Sequence, residues 1–303
     1  MHTLAVIIVS WNVRALLDRC LTALRADLQT TALDAQVWVV DNASTDDSAA
    51  LVRERHPWVA LEALDENLGF VRGNNRILAA LEAEGQPDLV WLLNPDTEVR
   101  PGATAALVRH FDAHPRAGIA GPCLRNPDGS LQPGAFRFPG LVQPLADLGR
   151  LPARLYETRL NGRYPAARYE AGAPFRIGHP LGAAMMARGA TVAEVGLLDE
   201  GFFMYCEEID WAWRMRKAGW EAWLVPAAEV VHHGGASTRQ DRPATTAHLW
   251  VSRARLYRKH HSAWLRRIVR HYVRRTFSAR LAAAETSAWR DAYRAILEAW
   301  ADG

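Results

Sequence analysis

Three uninterrupted apolar runs set the frame of the chain. "LAVIIVSWN" (from Leu4), "AQVWVVDNAS" (from Ala35) and "DLVWLLNPDTEV" (from Asp88) lack polar alternation and end in Asn or Asp. Such runs predict strands buried on both faces, as in a parallel sheet covered by helices. Between them the period becomes helical. Leu16, Leu17, Cys20, Leu21 and Leu24 share one face over residues 13–26. "TDDSAALVRERH" predicts a capped helix, and another is expected from Pro101 to His110. This alternation predicts an α/β fold whose ligand site lies beyond the C-terminal strand edges. Asn12, Asp41, Asn94 and Asp96 all fall there.

Residues 121–178, rich in Gly, Pro and Arg, predict long loops with short elements. Order returns with "LGAAMMAR" and with "VGLLDEGFFMYCEEIDWAWRMRKAGW", whose second part predicts a helix from Glu207 to Ala218. "EAWLVPAAEVVHHGG" supplies one or two strands, and the pattern is helical from His248 onward.

Composition changes this picture at one place. Cys20, Cys123 and Cys206 have no paired spacing, which argues against a disulfide framework or a zinc knuckle and suits a reducing cytoplasm. The first apolar run lacks the basic flank and cleavage pattern of a signal peptide, and no window approaches the ~20 apolar residues of a membrane span. The net charge of +3 is uneven: residues 251–280 hold ten Arg or Lys and no acid, leaving −7 on the rest. An acidic body with a basic segment points to an anionic partner. The aromatics and bases there form no recognisable nucleic-acid module, so nucleic acid is not expected.

Several clusters are candidates for chemistry, each with a plainer alternative. Asp41 is either an N-cap or a carboxylate for a nucleotide base or ribose. "ENLGFVRGNN" lacks the Gly-Lys-Ser/Thr ending of a P-loop, so it is a Gly-Asn turn or a loop that wraps a nucleotide, with Arg72 against phosphate. Asp96 is a cap or one of the few carboxylates that a diphosphate-bound divalent ion requires. His232 and His233 are structural or join a carboxylate at a metal. Glu207 and Asp210 share a helical face and Arg214 lies four residues beyond Asp210, which a salt-bridged helix start explains. Glu208 points elsewhere, and that explanation does not account for it.

Taken together, "VIIVSWN", "VWVVDNASTDDS", "ENLGFVRGNN", "LLNPDTEV", "VGLLDEGFFMYCEEIDWAWR" and "VVHHGGAST" resemble the family 2 glycosyltransferases, most closely their rhamnosyltransferase-like branch. The motifs stand in the family's order over residues 4–260. The resemblance implies a GT-A fold: a Rossmann-like α/β domain over 1–250, with a nucleotide-binding half to about 120 and an acceptor-binding half after it. A basic helical extension follows over 251–303. It implies an inverting transfer, with dTDP-L-rhamnose as the expected donor and another UDP- or GDP-sugar, or an impaired sugar-nucleotide-binding scaffold, as alternatives. Ser10, Asn12, Asp41, Asn67, Gly69, Arg72, Asn74 and Asn94 would hold the nucleotide sugar. Asp96 with His232, or His233, would hold Mg²⁺ or Mn²⁺, although Asn94 replaces the first acid of the family's metal motif. Glu208 would be the catalytic base, supported by Glu207 and Asp210; the family has Asp at its position. Leu181–Met186, Asp199 and Glu200 would line the acceptor side. The acceptor is expected to be a saccharide or a polyprenyl-diphosphate-linked saccharide. That places the protein in the bacterial cytoplasm, peripheral at the inner face of the plasma membrane through residues 251–280. The alternative is a basic helix packed on the acidic body or at a homodimer contact.

Overall fold

From Leu4 onward every side chain of β1 (Thr3–Ser10) is buried, as the unbroken apolar run requires of a strand covered on both sides. The computed structural model describes residues 2–149, 152, 155, 158–234 and 241–301. Helix α1 (Arg14–Leu28) returns the chain to β2 (Asp34–Asp41), which pairs in parallel with β1 so that Ser10 lies beside Asp41. Helix α2 (Ser48–Arg55) leads to β3 (Ala60–Ala63), and α3 (Gly69–Glu84) leads to β4 (Leu89–Leu93), parallel to β1 on its other side.

The third apolar run then departs from expectation. It is not one strand but two, with Asn94-Pro95-Asp96 as the connection. β5 (Thr97–Val99) leaves β4 and forms the far edge of the sheet. Helix α4 (Ala103–Ala113) precedes β6 (Ala117–Arg125). Then come β7 (Leu131–Gln132), β8 (Ala135–Phe136), α5 (Val142–Asp147), α6 (Ala166–Glu170), β9 (Phe175–Ile177) and β10 (His179–Pro180), the short elements foreseen for this stretch. β11 (Ala184–Arg188), α7 (Gly189–Val195), α8 (Glu207–Lys217) and β12 (Glu221–His232) complete the sheet.

Its order is β3-β2-β1-β4-β11-β6-β12-β5. β11 runs antiparallel to both β4 and β6, and β12 runs parallel to β6, so β1, β2, β3, β4, β6 and β12 all point one way. The sheet is thus mostly parallel and lies between two apolar layers. One layer is built on α1 and α4 with Leu17, Leu21 and Phe111; the other is built on α3 and α8 with Ile77, Trp211 and Met215.

Three helices close the chain: α9 (Arg242–His260), α10 (Ala263–Ala282) and α11 (Ser287–Ala299). They share their own core of Trp250, Tyr257, Val273, Phe277, Ile296 and Trp300. Helix α9 begins earlier than its apolar pattern implied, because Asp241 accepts from the Ala244 amide and Pro243 sits in the first turn. It also runs through position 250, so the basic segment starts inside a helix. Among the described residues no helix is long and apolar enough to cross a membrane.

Candidate active site

The strand ends supply the first part of the site. Asn12 reaches from the β1 end to the β2 loop: its amide donates to Ser44 Oγ at 3.0 Å and its Oδ1 accepts from Thr45 N at 2.7 Å. Asp41 is buried, and its Oδ2 accepts from Ser44 N at 3.0 Å. Among the described residues, no hydrogen-bond partner meets its Oδ1, Ser10 Oγ or Asn42 Oδ1, or Asn74 Oδ1 on the neighbouring α3, and all four are sealed from solvent. Unpaired buried oxygens cost about 1–3 kcal/mol each, so four around one pair of strand ends mark a cradle built for an outside partner.

The "ENLGFVRGNN" stretch borders this cradle and is not the loop expected of it: Glu66–Leu68 lead into α3, whose first two turns hold Gly69–Asn75. Asn67 Oδ1 accepts from Gly69 N at 2.9 Å, and Asn42 Nδ2 donates to Gly69 O at 3.1 Å. Gly69 has φ +78°, and a Cβ there would fall 2.8 Å from both the ring and the carbonyl of Phe203. The first half of the site therefore touches the segment that carries the acids. Gly69→Ala is expected to cost about 1–3 kcal/mol from the left-handed backbone and the clash. Thermal unfolding checks the cost, and a weaker donor affinity by titration is expected alongside it. Arg72 is exposed and lies 3.7 Å from Glu200, also exposed. Asn74 donates to Phe70 O at 2.8 Å. Its neighbour Asn75 bonds both the N–H and the carbonyl of Leu198 (3.1 and 2.9 Å) and so fixes the acceptor-side loop to α3.

Asn94 and Asp96 lie on the β4–β5 connection. The Asn94 amide donates to Ala183 O at 2.8 Å and its carbonyl accepts from Thr97 Oγ1 at 2.7 Å. Because β12 pairs antiparallel with β5, His232 stands beside Thr97, and its Nε2 is 3.4 Å from Asp96 Oδ1. His232 Nδ1 lies 2.7 Å from Gln132 Oε1, so a donated N–H there leaves Nε2 with a free lone pair facing the carboxylate. His233 turns the other way and meets Glu98 at 2.7 Å. One carboxylate oxygen and one imidazole nitrogen, both largely buried and 3.4 Å apart, fit a Mn²⁺-type ion whose other ligands would come from a diphosphate and water. Among the described residues no cluster of three or more His, Cys, Asp or Glu could hold such an ion alone. The "GAST" end of the "VVHHGGAST" motif, residues 235–238, lies outside the described residues.

The acids sit on α8. Tyr205 and Cys206 both adopt left-handed backbone (φ 69° and 68°), a costly turn for two successive non-glycine residues. That turn delivers Glu207 and Glu208 to the first turn of the helix. Glu207 is buried, its Oε2 has no partner, and burial together with the neighbouring Glu208 holds its carboxyl well above the usual range. Glu208 is only partly covered, with Cα of the neighbouring Gly182 leaving room: a Cβ there would stand 3.7 Å from Glu208 Cβ and Cγ. Its Oε2 is nevertheless sealed and unpartnered. Burial pushes its pKa up to about 7, against the backbone N–H groups of Glu208, Ile209 and Cys206, which pull it down. Gly182 adjoins Ala183, whose carbonyl holds Asn94, so Glu208 and the Asn94–Asp96 turn border one region.

Asp210 faces away from that region. It is fully buried and receives Arg214 Nε at 2.9 Å, His260 Nε2 at 2.7 Å and Lys259 Nζ at 2.6 Å. Asp199 likewise receives Arg255 at 2.7 Å and Lys259 at 2.5 Å, so it anchors α9 rather than lining the acceptor side. The sequence gives no sign of the contacts made by Gln132, Asn75, Lys259 and His260. Each acts on a partner dozens of residues away, beyond the reach of spacing along the chain.

Known proteins resemble this chain along most of its length. The sequence profile described as Glycosyl transferase family 2 matches residues 5–179. The N-acetylglucosaminyl-diphospho-decaprenol L-rhamnosyltransferase of Mycobacterium tuberculosis is 33% identical over 288 residues, 91% of this chain and 91% of that protein, in each of two strains. Among solved structures, a Pyrobaculum calidifontis mannosyltransferase in complex with GDP-Man and Mn²⁺ superposes with a TM-score of 0.58 at 17% identity, covering 98% of this chain and 84% of that one. GalNAc-T7 with UDP, GalNAc and Mn²⁺ gives 0.56 at 16% identity over 77% of this chain and 43% of that one. At these identities the structural likeness establishes the GT-A fold.

Proposed function

Because this chain belongs to glycosyl transferase family 2 and is a glycosyltransferase, we propose that it transfers L-rhamnose from dTDP-rhamnose to an N-acetylglucosaminyl diphosphate carried on a polyprenol. The observation that carries this reading is the 33% identity to the mycobacterial rhamnosyltransferase, which spans 91% of both chains and so includes both halves of the site. Ser10, Asn12, Asp41 and the Asn67–Asn74 stretch bind the nucleotide, and the four unpartnered oxygens accept or share its polar hydrogens. Asp96 and His232 would hold a divalent cation, which when bound would supply positive charge to the leaving diphosphate; two structural neighbours were solved with Mn²⁺, which supports an ion of this type.

Glu208 takes the proton of the acceptor hydroxyl. As that O–H bond breaks, the oxygen forms the bond to C1 of the sugar. The bond from C1 to the diphosphate oxygen opens on the opposite face, and its electron pair leaves with the diphosphate. One base and no protein nucleophile give inversion at C1. A base with a pKa near 7 matches this task, since it is part-ionised at working pH yet basic enough to accept a proton. Glu207, held neutral beside it, keeps a second negative charge off the pair. Because the acceptor's lipid is embedded in the bilayer, the protein works at the membrane surface, with residues 251–280 as its basic contact.

The test is direct. Purified protein with Mn²⁺, dTDP-rhamnose and a water-soluble analogue of the acceptor should give a rhamnosylated product. The same donor should raise the melting temperature in a metal-dependent way. Stabilisation by a UDP- or GDP-sugar in place of the dTDP donor would overturn the assigned sugar nucleotide.

A further inference from the structure

The bases of residues 251–280 divide between two uses. Three of the four in α9 are held by acids of the body: Arg253 pairs with Asp147, Arg255 with Asp199, and Lys259 with Asp199 and Asp210, while the fourth, Arg258, is exposed and donates to the Ala299 carbonyl at 2.7 Å. Helix α10 differs. Its twenty residues hold six arginines and no acid, and among the described residues none of the six forms an ion pair. Arg270 and Arg274 meet only the backbone carbonyls of Ala301 and Leu297, each at 3.2 Å. Its inner face is taken, with Val269, Val273 and Phe277 buried against α9 and α11. The outer face carries Trp264, Ile268 and Tyr272, spaced four residues apart and 64%, 36% and 39% exposed. Beside this ridge lies a shallow hollow lined by Arg267, Arg270, His271, Arg274 and Arg275.

Exposed large apolar side chains in register on one helical face are costly in water, and a tryptophan and a tyrosine among them are the residues that favour a bilayer interface. An arginine field with no internal counter-charge calls for anions. One surface satisfies both demands. We infer that the outer face of α10 is a docking face for an anionic lipid bilayer, with Trp264, Ile268 and Tyr272 entering the headgroup layer and Arg267, Arg274 and Arg275 meeting lipid phosphates. It deepens the membrane reading given above and rests on it. It also narrows that reading from residues 251–280 to one face of one helix, since three of the four α9 bases are already engaged by acids.

The test compares full-length wild type with the triple variant Arg267→Ser/Arg274→Ser/Arg275→Ser, and separately with Trp264→Ala, by co-sedimentation with vesicles. These positions are exposed, so unchanged melting temperatures are expected. Wild type should bind phosphatidylglycerol-containing vesicles and not pure phosphatidylcholine. The triple variant should bind about a hundredfold more weakly, on the basis of roughly a tenfold-scale loss per one to two arginines at an anionic surface. Trp264→Ala should lose several-fold, and high salt should weaken all three. Equal binding by wild type and triple variant, or no preference of wild type for anionic vesicles, overturns the proposal. So does a wild-type dimer that separates in the triple variant while neither binds vesicles, since the face would then meet a second copy. Rhamnose transfer to the soluble acceptor analogue should be equal in all three proteins. Its absence from all of them, with vesicle binding intact, would strike the substrate reading and leave the docking face standing.

Discussion

Glu208→Gln is expected to lower the transfer rate by about 10²–10⁴-fold while leaving donor affinity unchanged, the range a positioned general base contributes. Gln keeps the shape beside Gly182 but has no lone pair basic enough to take the acceptor proton. The same residue predicts the pH profile. With a pKa of about 7, the wild-type rate should fall on the acid side of pH 7, about tenfold per unit, as Glu208 becomes protonated. Stability should respond in the opposite sense. A carboxyl whose folded pKa is raised favours the folded state at low pH and withdraws that support as pH rises from the unfolded value through about 7. Glu208→Gln cannot ionise, so at pH 8 it should melt higher than wild type, by an amount on the order of 1–3 kcal/mol. Rate assays and thermal melts at pH 6 and pH 8 check both halves. A near-normal rate in the variant would remove Glu208 as the base.

Asp210→Ala should cost about 3–5 kcal/mol of stability, the penalty for taking one partner from a buried ionic cluster. The loss leaves Arg214 and His260 without their carboxylate and Lys259 with Asp199 alone. Burial alone would raise the Asp210 pKa, but the bonds from His260, Lys259 and Arg214 outweigh it and bring the value to about 2. The depressed pKa contributes stability above the ordinary aspartate range and loses it as pH falls toward 2. Asp210→Ala should therefore narrow its deficit to wild type in acid, which denaturant titrations at pH 3 and pH 7 would read. Activity should fall as well, because this cluster ties α8, with Glu207 and Glu208 at its start, to α9. An Asp210→Ala protein as stable as wild type at pH 7 would exclude that clamp.

The sequence made the donor half plain for a physical reason. Strands β1 and β4, and the end of β2 from Val39, are buried on both faces, so their apolar runs are continuous, and the polar residues that end them must lie at the sheet edge. β3 went unseen because "ALEA" is half-exposed and contains no β-branched residue. β5 was merged with β4 because three residues leave too short a pattern, yet its reversal is what brings His232 to Asp96. The acid pair was legible as two glutamates in unusual company. The different fate of Asp210 was half legible: Arg214 follows at helical spacing, whereas Lys259 and His260 lie some fifty residues on. His232 and His233 are adjacent in sequence and look equivalent, but successive residues of an extended chain face opposite ways, and that separates the last residue of β12 from the one after it.

The grip of α9 on α8 has a consequence for how the protein is made. Synthesis proceeds from the N-terminus, and the sheet with its donor cradle is complete in sequence by His232. Apart from Arg214, the bases that seat Asp210 and Asp199 arrive only between Arg255 and His260, followed by the helices that bury α9. A nascent chain should thus acquire donor binding before it acquires a fixed acid pair. Stalled chains ending before and after α10 would reveal that order if nucleotide binding appeared in the shorter one and protease resistance around α8 only in the longer. An enzyme assembled in this sequence becomes competent for catalysis at about the moment α10, the helix proposed to dock on lipid, emerges.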